Sequence, residues 1–153
     1  MGSPWAVRLI EASDYPGWRP LWDGYNAFYG RQGASALPEP ITLSSWQRFL
    51  DPGEPMYALV SADQGRLVGL AHYLFHRSTI RPELSCYLSD LYTLPSHRGR
   101  GIARALIEGV YAQCRSAGIK AVYWQTHESN AAGRRLYDTL ASYDGFIVYD
   151  REL

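Results

Sequence analysis

The sequence predicts an α/β domain: a mixed, mostly antiparallel sheet with helices on both faces. Three observations carry this. Strand-like and helix-like runs follow one another in the order β-α-α-β-β-β-α-β-α-β, over 153 residues that suffice for one domain (1–153) with a full core. Asp63-Gln64-Gly65 separates two apolar runs and is a compact hairpin signal. The stretch Asp90-LYTLPSHRGRGIARALIEGVYA reads as strand, glycine-containing loop and helix, and a further strand follows. That unit is a parallel crossover, the part of such a sheet where a ligand binds.

Trp5-AVRLI reads as the first strand. From Tyr15 to Gly30 the residues Trp18, Leu21, Trp22, Tyr25, Phe28 and Tyr29 recur at helical spacing and give a broad apolar face. A Gly/Pro-rich loop is predicted over Arg31–Pro40, then a short helix from Leu43 to about Leu50, stopped by Asp51-Pro52-Gly53. Met56-YALVSA and Arg66-LVGLAHYLFH form the hairpin, and Glu83-LSCYLSDLYTL is the strand that enters the loop. Gly118-IKAVYWQTH is strand-like, Asn130-AAGRRLYDTLA helical, and Phe146-IVYDREL is a last run rich in β-formers.

Composition narrows the function. The chain is 46% apolar with a formal net charge of zero, so no global field draws it to nucleic acid or to an anionic membrane. No run approaches the roughly 18 apolar residues of a membrane span, and no secretory signal is visible. Met1-Gly2-Ser3 reads equally as a native start or an added one. Cys86 and Cys114 lack metal-ligand spacing and read as two buried thiols. The expectation is a cytoplasmic protein without a metal.

The loop carries the chemistry. Gly99 and Gly101 let a ligand approach the backbone, the helix start offers free N–H groups, and Arg98, Arg100 and Arg104 add positive charge. This is a phosphate or pyrophosphate cradle. It contains no G-x-x-x-x-G-K-[ST] string, and Arg104 stands where a dinucleotide fingerprint needs its third small residue. Arg98, Gly101 and Ala103 instead match [QR]-x-x-G-x-[GA], the pyrophosphate loop of the GCN5-related N-acetyltransferases. Asn130, Leu136 and Tyr137 match a second signature of that superfamily, N-x-x-A-x-x-L-Y, with Gly133 in place of the alanine. The chain therefore resembles this superfamily from at least Arg66 to its last residue. The strings Tyr123-WQTHESN, Leu136-Tyr137-Asp138 and Gly145-FIVY resemble its histone-and-polyamine branch.

The resemblance implies a superfamily fold with acetyl-CoA as co-substrate, and acetyl transfer to a primary amine of a small molecule such as a polyamine or amino acid. A protein lysine or N-terminal acetyltransferase and a non-catalytic acyl-CoA-binding module are the alternatives. By resemblance, Arg98, Gly99, Arg100, Gly101, Ile102, Ala103 and Arg104 hold the pyrophosphate, although Arg104 reads equally as a solvated helix residue. Leu91, Tyr92 and Thr93 would line up the pantetheine with their backbone, on a strand that carries a bulge and splays from its neighbour in this superfamily. Asn130 would bind the pantetheine arm, and Tyr137 would protonate the leaving thiolate. Ser89-Asp90 stands where polyamine acetyltransferases commonly show Glu-Asp. Asp90 is thus the candidate to bind the amine or accept its proton, with Glu83, His72, His127 and Glu128 as other bases. Phe28 and Tyr29 are expected to border the acceptor cleft. Members of this branch often pair through C-terminal strands, so a homodimer is expected.

Overall fold

The hairpin at Asp63-Gln64-Gly65 sets the sheet. Gln64 and Gly65 take φ values of 49° and 82°, the two left-handed residues of a tight two-residue turn. In the computed structural model, which describes residues 3–153, this turn joins β2 (Met56–Asp63, the second strand in chain order) to β3 (Arg66–His76). The first strand, β1 (Val7–Leu9), pairs with β2, and β4 (Ser85–Thr93) pairs with β3, both antiparallel. A short β5 (Val122–Tyr123) joins β4 in parallel, completing a five-stranded sheet in the order β1-β2-β3-β4-β5. Met1 and Gly2 lie outside the described residues, and so does most of the question about how the chain starts.

Helices cover both faces. On one face lie α1 (Tyr15–Phe28) and α2 (Glu39–Leu50). Trp18, Leu21, Trp22 and Tyr25 of α1 and Trp46 of α2 are buried against Ala58, Val60, Leu67 and Leu70. The aromatic stripe read from the sequence is therefore mostly core, as its helical spacing predicts. On the other face α3 (Ile102–Ser116) buries Ile102, Leu106, Ile107 and Val110 against Leu59, Val68, Ala71, Tyr73, Cys86 and Leu88. The last helix, α4 (Ala131–Tyr137), sets Leu136 and Tyr137 against that same cluster. Cys86 and Cys114 are both buried thiols. No helix among the described residues is long and apolar enough to cross a membrane.

Two expectations are corrected. The second helix begins at Glu39, within the predicted loop, because Pro38 and Pro40 flank its first residue. Proline's fixed φ and missing N–H suit a first helical turn, so these prolines start the helix and do not exclude it. The predicted final strand in Phe146-IVYDREL is not formed: residues 142–153 carry neither helix nor strand. β-forming composition makes a strand only by pairing with a neighbouring one, and among the described residues this segment pairs with none. Phe146 and Tyr149 are each 88% exposed as a result.

Candidate active site

The register between β3 and β4 slips once. His72 stands opposite Asp90 but Tyr73 stands opposite Leu88, leaving Ser89 as an extra residue. This β-bulge reverses the facing of the strand beyond it. Leu88 packs into the cluster under α3, whereas Tyr92 packs into the cluster under α1. β5 pairs with β4 only at Cys86 and Tyr87, so the two strands part before the bulge. The Leu94 N–H donates to the Val68 carbonyl at 2.8 Å. Antiparallel alternation then turns the N–H and C=O of Leu91 and Thr93 away from β3, toward the side that β5 has left. The fork thus presents the backbone of Leu91 and the Thr93 N–H for pairing with an extended ligand, while the Thr93 carbonyl already accepts from Arg98.

The glycine loop follows directly. Gly101 is the residue before the first turn of α3 and has φ +88°, a conformation that L side chains rarely adopt. Gly99 has φ +75°. A Cβ at either glycine would meet nothing within 4 Å, so the cradle is open. The N–H groups of Ile102, Ala103 and Arg104 belong to the first helical turn and have no intrahelical partner. The loop is held from outside by Trp5, whose Nε1–H donates to the Arg100 carbonyl at 2.8 Å. Arg98 Nε donates to the Thr93 carbonyl at 3.1 Å, and its guanidinium lies over the Tyr92 ring. Arg104 reaches across to donate to Thr139 Oγ1 at 2.6 Å, which ties α3 to the end of α4. A Gly101→Ala variant is expected to strain this turn by about 1–2 kcal/mol and to weaken acetyl-CoA binding severalfold, as read by calorimetry.

Asp90 lies on the α1 side of the sheet, opposite His72 in the ladder. The His72 Nδ1 and an Asp90 carboxylate oxygen are 2.9 Å apart. The other ring nitrogen, Nε2, receives the Trp18 indole N–H at 3.0 Å. An indole N–H only donates, so Nε2 is an acceptor and Nδ1 carries the proton, which it gives to Asp90. Both nitrogens are occupied, and His72, 1% exposed, has no lone pair left for an amine proton. Burial alone would push the Asp90 carboxyl up. The His72 ring, the Tyr25 hydroxyl and the Arg31 charge outweigh burial and hold it below the ordinary carboxylate value. Asp90 therefore stands ionised beside a cavity of about 400 Å³ that Trp22, Asn26, Arg31, Phe49, His72 and Ser89 help to line. Glu83, His127 and Glu128 do not line it.

Tyr137 packs edge-on to Trp124, with ring centroids 5.5 Å apart. Burial, and then the nearby Tyr29, push its phenol above the ordinary value. Asn130 caps α4: its Oδ1 accepts from the Gly133 N–H at 3.2 Å, and its Nδ2 donates to Thr126 at 2.9 Å. A Cβ on Gly133 would fall 2.4 Å from the Asn130 amide nitrogen. The glycine that departs from the second signature thus makes room for the asparagine folded over it. Tyr29 stands at the end of α1, while Phe28 is 62% exposed and touches Tyr29 edge-on. Neither lines the cavity beside Asp90.

The bulged, forked strand runs directly into the open glycine cradle. The sequence profile of the acetyltransferase (GNAT) family matches residues 18–141. The chain belongs to this family. A D-amino-acid N-acetyltransferase of Saccharomyces cerevisiae is 32% identical over 147 residues, covering 95% of this chain and 89% of the yeast protein. Among solved structures, an aminoglycoside acetyltransferase bound to a bisubstrate analogue of coenzyme A superposes with a TM-score of 0.82 at 17% identity, over 99% of both chains. A ribosomal-protein-alanine N-acetyltransferase from Brucella melitensis superposes at 0.78 and 19% identity, over 97% of this chain and 99% of the other. At those identities the structures show the shared fold.

As a member of the GNAT family the chain is an N-acetyltransferase with acetyl-CoA as its co-substrate, and the site fits that molecule. Thr93 Oγ1 is buried without a hydrogen-bond partner, on the strand that turns its backbone outward. Next along the chain comes the cradle that no side chain fills. Asp90, Leu91, Tyr92 and Thr93 end the strand, and the cradle segment Arg98 to Arg104 follows them along the chain. The sequence reading missed Arg31 and Asn26, which line the cavity with Asp90. Gly30 beside Arg31, directly after a helical run, was the available signal for a fixed helix end.

Proposed function

We propose that this acetyltransferase modifies the primary amine of a small molecule, an amino acid in particular, by direct attack in a ternary complex with acetyl-CoA. The observation that carries the proposal is the ionised Asp90 carboxylate, placed by the Ser89 bulge where the open strand begins. In this reading Asp90 holds the acceptor nitrogen, and the proton leaves through water as the N–C bond forms. The outward N–H of Leu91 steadies the carbonyl oxygen as it gains charge. Backbone of Leu91 to Thr93 and the cap residue Asn130 align the pantetheine arm. Arg98 to Arg104 hold the pyrophosphate, and Tyr137 gives its phenolic proton to the thiolate as the C–S bond breaks. Tyr29 lies within electrostatic reach of Tyr137 and outside the cavity beside Asp90, so it faces the transfer step from the Tyr137 side.

The yeast relative's substrate class supports an amino acid over a polyamine. The strings around Asn130 and Tyr137 support placement in the histone-and-polyamine branch, and the two unlinked thiols support a reducing, cytoplasmic setting. The test is coenzyme A release from acetyl-CoA against amino acids of both chiralities, polyamines, aminoglycosides and lysine peptides. Turnover of free amines is the expected result. Turnover of peptides alone overturns the reading.

The exposed C-terminal run supports pairing with a second copy of the chain. Phe146, Ile147, Val148 and Tyr149 are 63–88% exposed, a cluster of apolar side chains of the kind that marks an interaction surface. Light scattering is expected to give twice the monomer mass for the natural chain and a lower mass for a Phe146→Ser/Tyr149→Ser variant. A monomer at tens of micromolar natural chain overturns the pairing.

A further inference from the structure

The cavity beside Asp90 has one cationic side chain in its lining, Arg31, and its position is fixed by the way α1 ends. Gly30 takes φ +79°. Its N–H donates to the Ala27 carbonyl at 2.9 Å, and the Arg31 N–H donates to the Asn26 carbonyl at 2.8 Å. These two bonds are a complete Schellman motif, with Gly30 in the left-handed position and Arg31 immediately beyond it. Asn26 then holds the side chain as well. Its Oδ1 accepts from Arg31 Nε at 2.6 Å, while its own Nδ2 donates to the Trp22 carbonyl at 2.9 Å. Asn26 is 4% exposed, so the holding group is itself rigid. The guanidinium also lies over the Tyr25 and Tyr29 rings, 5.8 and 5.4 Å from their centroids.

All of this uses one guanidinium edge. Among the described residues, the two terminal nitrogens of Arg31 have no hydrogen-bond or ion-pair partner. They form the planar fork that matches a carboxylate with two parallel N–H···O bonds. Asp90, the anionic group of the same cavity, is close enough to feel the Arg31 charge. Apolar side chains, Leu37, Ile41, Phe49 and Met56, make up much of the remaining wall.

We infer that Arg31 is the carboxylate anchor of the acceptor site, which is built for a zwitterionic amino acid with an apolar side chain. This rests on the reading of Asp90 as the amine-binding group. The amine lies at Asp90, the carboxylate on the Arg31 fork, and the side chain against Leu37, Ile41, Phe49 and Met56. A polyamine brings a second ammonium toward Arg31, where the carboxylate belongs, and meets repulsion instead of an ion pair.

The test compares D- and L-phenylalanine with phenethylamine, the same molecule without its carboxylate, on the natural chain and on Arg31→Met and Arg31→Lys variants. The natural chain is expected to favour at least one phenylalanine enantiomer over the amine by tenfold or more in kcat/KM. Arg31→Met is expected to erase most of that preference, chiefly through a higher KM, and Arg31→Lys to restore part of it. Calorimetric acetyl-CoA affinity of each variant verifies that the fold and the co-substrate site are intact. A natural chain indifferent to the carboxylate, or a preference that survives in Arg31→Met, overturns the anchor and leaves the Asp90 reading standing. Failure to acetylate any free amine overturns both.

Discussion

A Tyr137→Phe variant is expected to lose about 10²–10⁴-fold in kcat, the usual worth of a positioned proton donor, while binding acetyl-CoA as the natural chain does. The ring keeps its edge contact with Trp124, so the substitution removes an oxygen and little packing. Stopped assays of coenzyme A release give kcat, and calorimetry gives the affinity. A kcat equal to that of the natural chain across the pH range would remove Tyr137 from the proton-donor role. The pH profile is a second check. The phenol lies above its ordinary value because burial and the neighbouring Tyr29 disfavour the phenolate. A raised value keeps the proton on Tyr137 until the pH passes it, so the alkaline fall attributed to this residue is expected above about pH 10. In the phenylalanine variant that fall disappears.

An Asp90→Asn variant is expected to lose roughly 10²-fold in kcat/KM for the amine, matching the ~1.5–3 kcal/mol of a hydrogen bond to a charged group. The asparagine oxygen still accepts the His72 Nδ1–H, so the folded state survives. An Asp90→Ala variant differs, because the buried ring N–H then has no acceptor and thermal stability falls as well. Comparing melting temperatures with kcat/KM for the two variants separates support of the fold from contact with the acceptor. The Asp90 carboxyl is held below its ordinary value by His72, Tyr25 and Arg31 acting against burial. Its contribution to stability is therefore present above the ordinary value of about pH 4, and is lost as pH falls through the lowered one. An acidic limb of activity near neutral pH is therefore not expected from Asp90. An Asp90→Asn variant with undiminished kcat/KM on every amine would exclude the carboxylate from acceptor binding.

Local signals were legible in the sequence where the chemistry is local. The cradle could be read because two glycines and a helix start are adjacent in the chain, and Asn130 and Tyr137 because both belong to one short helix signature. The hairpin turn was legible for the same reason. The Ser89 bulge was not, since a bulge is a property of two strands in register and β4 alone shows only a serine before an aspartate. The tautomer of His72 needs Trp18 from one side and Asp90 from the other, 54 and 18 positions away. Arg31 was read as the first residue of a loop. Its meaning depends on Asn26, five residues earlier, to which its side chain reaches back from beyond the helix end. The unformed final strand shows the reverse limit. β-forming residues state a preference, and a strand forms only where they pair with a neighbour, which residues 142–153 do not do.

Trp5 binds the carbonyl of Arg100 through its indole N–H and meets the ring of His97 edge-on. Trp18, Trp22 and Trp46 are buried in the α1–α2 cluster, and Trp124 packs on Tyr137. An indole hydrogen-bonded to a loop is expected to change its surroundings when that loop takes up an anion. Trp5 is therefore placed as an optical gauge of loop occupancy: its emission is expected to change on acetyl-CoA binding, and a Trp5→Phe variant is expected to lose that part of the change.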